Sequence, residues 1–101
     1  MEGNELISFQ IISAVGTARS MYMEAIAEAK AGNFENADNL MAEGGQVFLE
    51  GHKAHASLIQ KEASGEKIDF SLILMHAEDQ LMSAETFKII ASEIIEIYKN
   101  K

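Results

Sequence analysis

The chain has 101 residues, a formal net charge of −8 and no cysteine. It is long enough for one small domain, which we place at residues 1–101, and it has neither a disulfide framework nor thiolate chemistry. The excess of negative charge argues against binding to nucleic acid or to an anionic membrane, since both require basic patches. Its apolar runs fall far short of the roughly 18 residues that a membrane span needs, so we expect a cytoplasmic protein with no insertion into a membrane.

The first predicted element is a helix from about residue 4 to residue 31. Its apolar residues recur at the i, i+3, i+4 and i+7 spacing of one helix face. Proline is absent from the chain and aromatic residues make up only 7%, which suits helices packed through aliphatic side chains. Gly32 suits the position just past a helix end, and Asn33 can cap the start of the next helix.

The second predicted helix covers residues 34 to 63 and carries three glycines, at positions 44, 45 and 51. Each glycine costs up to about 1 kcal/mol relative to alanine inside a helix. The helix is long enough to tolerate them, and they would allow a neighbouring helix to approach closely. The segment "SGEK" at residues 64–67 predicts the second turn.

The third predicted helix begins at residue 69 or 70 and ends at residue 98. Short connections between long helices favour antiparallel neighbours, so the fold we predict is an all-α, up-down-up three-helix bundle. This third helix is apolar over most of its circumference, more than a three-helix bundle can cover. We therefore expect it to contact other copies of the chain. A narrow acidic stripe holds Glu78, Glu85 and Glu96, and we expect Glu78 to point to solvent.

His76 and Asp79 lie in the apolar segment "LMHAEDQLM" of the third helix. A lone histidine on such a face is most often a core residue, but Gln80, one turn on, can hydrogen-bond to an imidazole nitrogen. An ionised Asp79 is costly there unless it is paired. Either a lysine or arginine of another helix neutralises it, or copies of Asp79 meet at a symmetry axis and recruit a cation.

A weaker alternative is a metal site on the second helix, where His52 and His55 form an H-x-x-H pair. No E-x-x-H motif accompanies the pair, so a carboxylate-bridged two-metal centre is not supported. The nucleotide-binding motifs G-x-x-x-x-G-K-[ST] and G-x-G-x-x-G are also absent from the sequence.

Three segments together carry a family resemblance: "GTARSMYMEAIAEAKAGNFENAD" at 16–38, "GHKAHASLIQKEASGE" at 51–66 and "SLILMHAEDQLM" at 71–82. In their order and spacing they resemble the enzyme IIA component of the lactose/cellobiose-specific phosphotransferase system. The resemblance covers nearly the whole chain.

The resemblance implies a homotrimer of three-helix bundles with the third helices near the axis. It implies that His76 accepts a phosphoryl group from the phosphorylated histidine-containing phosphocarrier protein and passes it to a cysteine of the IIB component. The IIB component then serves a membrane permease for β-linked disaccharides. The resemblance also implies that Asp79 gathers with its copies around a divalent cation, which we expect to be Mg²⁺.

Two residues depart from the usual family motif, which reads H-A-Q-D-H or H-G-Q-D-H. Glu78 replaces the glutamine, and Gln80 replaces the second histidine, which removes a group that can titrate. His76 lies too far along its helix for the helix end to hold a phosphate. We therefore expect donors from Gln80 or a neighbouring subunit to contact it. The departures leave open a trimeric helical adaptor that has lost the phosphoryl relay.

Overall fold

The computed structural model describes residues 3–101, which form three helices and no strand. Helix α1 spans Gly3–Lys30, α2 spans Phe34–Ala63 and α3 spans Leu72–Lys99. The described part of the chain measures 52 × 23 × 19 Å along its principal axes. Helix α1 packs extensively against both other helices, whereas α2 and α3 contact each other much less. The predicted all-helical class is confirmed. No helix in residues 3–101 combines the length and the apolar character needed to cross a membrane.

The first turn has the glycine geometry that the sequence predicts. Gly32 has a φ of 86°, a left-handed conformation that favours glycine. Asn33 occupies the residue before α2, but its side chain does not cap that helix. Its Nδ2 instead donates to Glu28 Oε2 at 2.7 Å, so the side chain supports the end of α1.

Helix α3 begins at Leu72, two or three residues later than the pattern of apolar residues predicts. Ser71 is extended, with φ −149° and ψ 155°, and its Oγ accepts a hydrogen bond from the Leu74 N–H at 3.1 Å. A serine just before a helix satisfies an otherwise unpaired N–H of the first turn. Its extended backbone keeps the residues before it out of the helix. The predicted start was therefore wrong, because an apolar residue such as Phe70 extends the pattern without extending the helix.

The core is built mainly from small and β-branched residues of α1 and from small residues of α3. Two glycines of α2 bring it close to α1, as the sequence predicts. A Cβ atom on Gly44 would lie 2.6 Å from Tyr22 Cε1, and one on Gly51 would lie 2.9 Å from Val15 Cγ1. The buried apolar side chains are Ile11, Val15, Ala18, Tyr22, Ala25, Ile26, Ala29, Ala37, Phe48, Leu58, Ala77, Leu81, Ala84, Ala91 and Ile95.

One face of α3 stays uncovered in the single chain and is strongly apolar. We call this surface the outer face of α3. Its large apolar side chains are between 47% and 75% exposed. The excess of apolar surface predicted for the third helix is thus confirmed. The apolar members of the outer face are Leu72, Met75, Met82, Ile89, Ile90 and Ile97.

Candidate functional site

His76 lies in the second turn of α3 and its side chain is exposed. The next residue, Ala77, is fully buried in the core, whereas Met75 on the other side is 47% exposed. His76 therefore sits at the border of the outer face, where a ring is accessible from outside the bundle. This placement rules out the interpretation of His76 as a histidine enclosed in its own core.

Asp79 is also exposed and lies on the outer face, one turn from both Met75 and Met82. The ion pairs formed within residues 3–101 involve other carboxylates and not Asp79. The predicted alternative, a lysine or arginine from another helix of the same chain, is therefore not found. If Asp79 became buried against another copy of the chain, its carboxylate would therefore need a counter-ion from outside residues 3–101 of its own chain.

Residues 3–101 of a single chain do not form a complete metal site. In residues 3–101, no three histidine, aspartate or glutamate side chains cluster closely enough to hold a metal ion. A carboxylate such as Asp79 is a hard oxygen ligand of the kind that Mg²⁺ and Ca²⁺ prefer. Asp79 fits a divalent cation only if other copies of the chain supply the remaining ligands.

Gln80 is held by an arginine that sequence reasoning did not single out. Arg19 Nη1, on α1, donates to Gln80 Oε1 at 2.7 Å, and both side chains are half-buried. The hydrogen bonds within residues 3–101 do not include one from Gln80 to His76, so the predicted contact with the free imidazole is absent. The signals for Arg19 in the sequence are its place in the GTARS segment of the family resemblance and its position next to the buried Ala18.

Glu78 faces α2 and is only partly exposed, so the prediction that it points to solvent was wrong. His55 Nε2, on α2, lies 2.6 Å from Glu78 Oε1, and the two side chains are 18% and 38% exposed. The angular position predicted for Glu78 on α3 was reasonable. The error arose because α2 covers α3 at Glu78, whereas Glu85 and Glu96 of the acidic stripe are exposed.

The described residues give no support to a zinc site at His52 and His55. The Nε2 atom of His55 is engaged by Glu78, which leaves Nδ1 as its one free ring nitrogen, and neither histidine belongs to a cluster of three possible metal ligands within residues 3–101. His52 is exposed beside the groove between α2 and α3. The H-x-x-H pair is therefore better explained by one interhelical hydrogen bond and one surface residue.

Comparison with known proteins identifies a family that this chain matches. Residues 6–99 match the family described as "PTS system, Lactose/Cellobiose specific IIA subunit". The lichenan-specific phosphotransferase enzyme IIA component of Bacillus subtilis is 45% identical over 98 residues, covering 97% of this chain and 89% of the relative.

Solved structures are similar over nearly the whole chain. The cellobiose-specific enzyme IIA of Bacillus anthracis superposes with a TM-score of 0.96 at 44% identity, covering 99% of this chain and 92% of that one. The chitobiose IIA of Escherichia coli, solved in complex with HPr, superposes with a TM-score of 0.85 at 30% identity, covering 99% and 97%.

Proposed function

Because the chain belongs to the lactose/cellobiose-specific IIA family of the phosphotransferase system, we propose that it is a phosphocarrier whose acceptor is His76. It takes a phosphoryl group from phosphorylated HPr and passes it to a IIB component during uptake of a β-linked disaccharide. The observation that carries the proposal is the exposed imidazole of His76 at the border of the outer face. The sugar class is supported by the relatives, which are named for lichenan and cellobiose.

The chemistry requires a neutral imidazole with an accessible lone pair. Imidazole has an unperturbed pKa of about 6.5, so a large neutral fraction is present at cytoplasmic pH. A ring nitrogen of His76 attacks phosphorus in line and forms the new N–P bond. The N–P bond in HPr breaks, and its electron pair returns to the HPr imidazole. In the next step a IIB thiolate attacks the same phosphorus, and the electron pair of the broken bond returns to His76. Positioning and charge stabilisation supply most of the catalysis.

The proposed partner HPr is supported by the E. coli relative, which was solved in complex with that protein. The charge of this chain is consistent with such a partner. A net charge of −8 disfavours an added phosphoryl dianion, so complementary positive charge on the partner would both steer encounter and stabilise the transfer.

The proposed assembly is a homotrimer of up-down-up bundles. Contacts between the start of α2 and the end of α3, such as Lys99 Nζ to Asp38 Oδ1 at 2.8 Å, support the antiparallel course of these helices. The outer face supports association between chains, because residues along it follow one another at alternating intervals of three and four, as in a coiled-coil seam. The seam positions are Leu72, Met75, Asp79, Met82, Thr86 and Ile89.

In such a trimer the Asp79 copies would meet within the seam. Like charges in an apolar interface are unfavourable, so the carboxylates would together hold one divalent cation, for which Mg²⁺ is our proposal. The ion would supply the counter-charge that one chain lacks. Its role would be in assembly and not in the transfer of the phosphoryl group.

The proposal is tested by incubating the purified chain with HPr that carries a radiolabelled phosphoryl group. We expect acid-labile label on the wild type and none on His76→Gln. The matched controls His52→Gln and His55→Gln should still be labelled. An unlabelled wild type with normal helicity would instead support the adaptor that has lost the relay, and a labelled His76→Gln would move the acceptor elsewhere.

A further inference from the structure

The contact between Arg19 and Gln80 lies next to the proposed acceptor, and neither residue belongs to the buried core. We propose that Arg19 is a positioning residue for the transfer: it fixes the side-chain amide of Gln80 so that the N–H groups of that amide donate to the phosphoryl group on His76. This inference rests on the proposed function of His76. It adds a residue on a different helix, 61 positions from Gln80 in the sequence.

The orientation of the Gln80 amide follows from donor and acceptor chemistry. A guanidinium has five N–H donors and no acceptor. The atom of Gln80 that lies 2.7 Å from Arg19 Nη1 must therefore be the carbonyl oxygen Oε1. With Oε1 held on the α1 side, the Nε2 amide group is directed away from Arg19. The hydrogen bonds within residues 3–101 provide no acceptor for Nε2 of Gln80.

The position of Gln80 on α3 brings this unpaired donor toward His76. Residues four apart on a helix lie on one face, with Cβ atoms about 5–6 Å apart. A phosphoryl group on the His76 ring extends beyond the imidazole and offers three strong acceptor oxygens. The amide of Gln80 can therefore contact the phosphorylated ring even though it does not contact the free one.

The positive charge of Arg19 acts on the phosphoryl group through the amide of Gln80. Its guanidinium stays protonated throughout the physiological range. It lies half-buried beside the apolar side chains of Met23 and Phe87, where electrostatic effects are less screened than in water. A positive donor on Oε1 polarises the amide and strengthens its N–H groups as donors. Because glutamine does not titrate, this donor is present at every pH.

The first test compares rates of phosphoryl transfer from phosphorylated HPr for the wild type, Arg19→Met, Gln80→Met and the double variant. We expect each single change to slow transfer about 10- to 100-fold, the effect of losing a hydrogen bond to a charged group or a preorganised donor. The double variant should be no slower than Gln80→Met, since Arg19 acts through Gln80. Arg19→Lys should recover part of the rate, because an ammonium also donates to Oε1.

The second test is spectroscopic and does not depend on the rate. In the wild type, the side-chain ¹H–¹⁵N signals of Gln80 should move when the chain is phosphorylated, and in Arg19→Met they should move much less. Three results would each overturn this inference while His76 stays the labelled residue. They are unchanged transfer rates in the single variants, rate losses of the single variants that multiply in the double variant, and Gln80 signals that do not move on phosphorylation. A wild type that takes no label would overturn the proposed function as well, so the two failures are distinguishable. If Arg19→Met does not fold, Arg19→Lys replaces it, and a rate and Gln80 signals identical to those of the wild type in a variant that lacks the guanidinium would overturn the inference.

Discussion

The Nε2 atom of His55 lies 2.6 Å from the Oε1 atom of Glu78, which joins α2 to α3. These are the two helices with the fewest mutual contacts. Glu78 is two residues after His76, so the bond fixes the turn of α3 that carries the proposed acceptor. A glutamine, which the family resemblance leads us to expect at this position, could make a similar hydrogen bond.

This bond predicts a measurable coupling between the two residues. We expect a double-mutant cycle with His55→Ala and Glu78→Ala to give a coupling of roughly 0.5–1 kcal/mol, a range that allows for the partial exposure of Glu78. Urea denaturation measures the free energies of unfolding. Glu85→Ala, an exposed acidic residue on the same helix, should change stability by less than about 0.5 kcal/mol. A coupling of zero would show that the bond does not hold α2 to α3.

Tyr22 predicts a specific dependence of stability on pH. Its ring is fully buried and its hydroxyl has no hydrogen-bond partner within residues 3–101. Burial raises the pKa of Tyr22 above its usual value of 10.0. Below pH 10 both folded and unfolded states keep the proton. Above it the unfolded state releases the proton first, so stability falls as pH rises toward the folded-state pKa.

The matching variant is Tyr22→Phe. At pH 7 it should be as stable as the wild type or more stable by about 1 kcal/mol, because it removes a buried, unpaired hydroxyl. Between pH 10 and 11 it should lose less stability than the wild type, as measured by urea denaturation at a series of pH values. Tyr98→Phe, at a partly buried ring, serves as the control. Equal losses in the wild type and Tyr22→Phe would contradict the assignment.

The outer face of α3 predicts that a single charge can break the assembly. Ile89 is 63% exposed in one chain, and in the proposed trimer it faces its copies. Ile89→Lys should shift the sedimentation coefficient to that of a monomer, because three ammonium groups would meet in an apolar seam. Ile59→Lys on α2, where the isoleucine is 53% exposed, should stay trimeric. Dissociation by both variants, or by neither, would argue against this seam.

Asp79 predicts that the assembly depends on a divalent cation. We expect a chelator to lower the melting temperature of the proposed wild-type trimer, since uncompensated carboxylates would remain in the seam. Asp79→Leu should stay trimeric and lose this sensitivity, because the like charges are gone. Glu85→Leu, elsewhere on α3, should keep it. Equal chelator sensitivity in Asp79→Leu and the wild type would exclude an axial metal.

Much of the fold follows from the sequence, but the contacts between helices do not. The spacing of apolar residues predicts α1 and α2 to within one residue at each end, and the excess of apolar residues predicts the outer face. The predicted start of α3 was wrong because the backbone and hydroxyl of Ser71 make Leu72 the first residue of the helix, and the spacing of apolar residues carries no information about this.

The surroundings of the candidate site depend on interhelical geometry and were less accessible to prediction. His76 and Asp79 could be named from their segment and from the family resemblance. Glu78 was misplaced because the sequence does not fix which side of α3 is covered by α2. Arg19 was overlooked because its partner lies 61 residues away, and only the packing of α1 against α3 brings the two together.

The most direct test of the account observes all three histidine rings at once. The chain contains His52, His55 and His76, so a long-range ¹H–¹⁵N spectrum of the imidazoles has three spin systems. After addition of phosphorylated HPr, we predict the shift pattern of a phosphorylated ring for His76 alone. Such a pattern at His52 or His55, or no phosphorylated ring in the folded protein, would contradict the account.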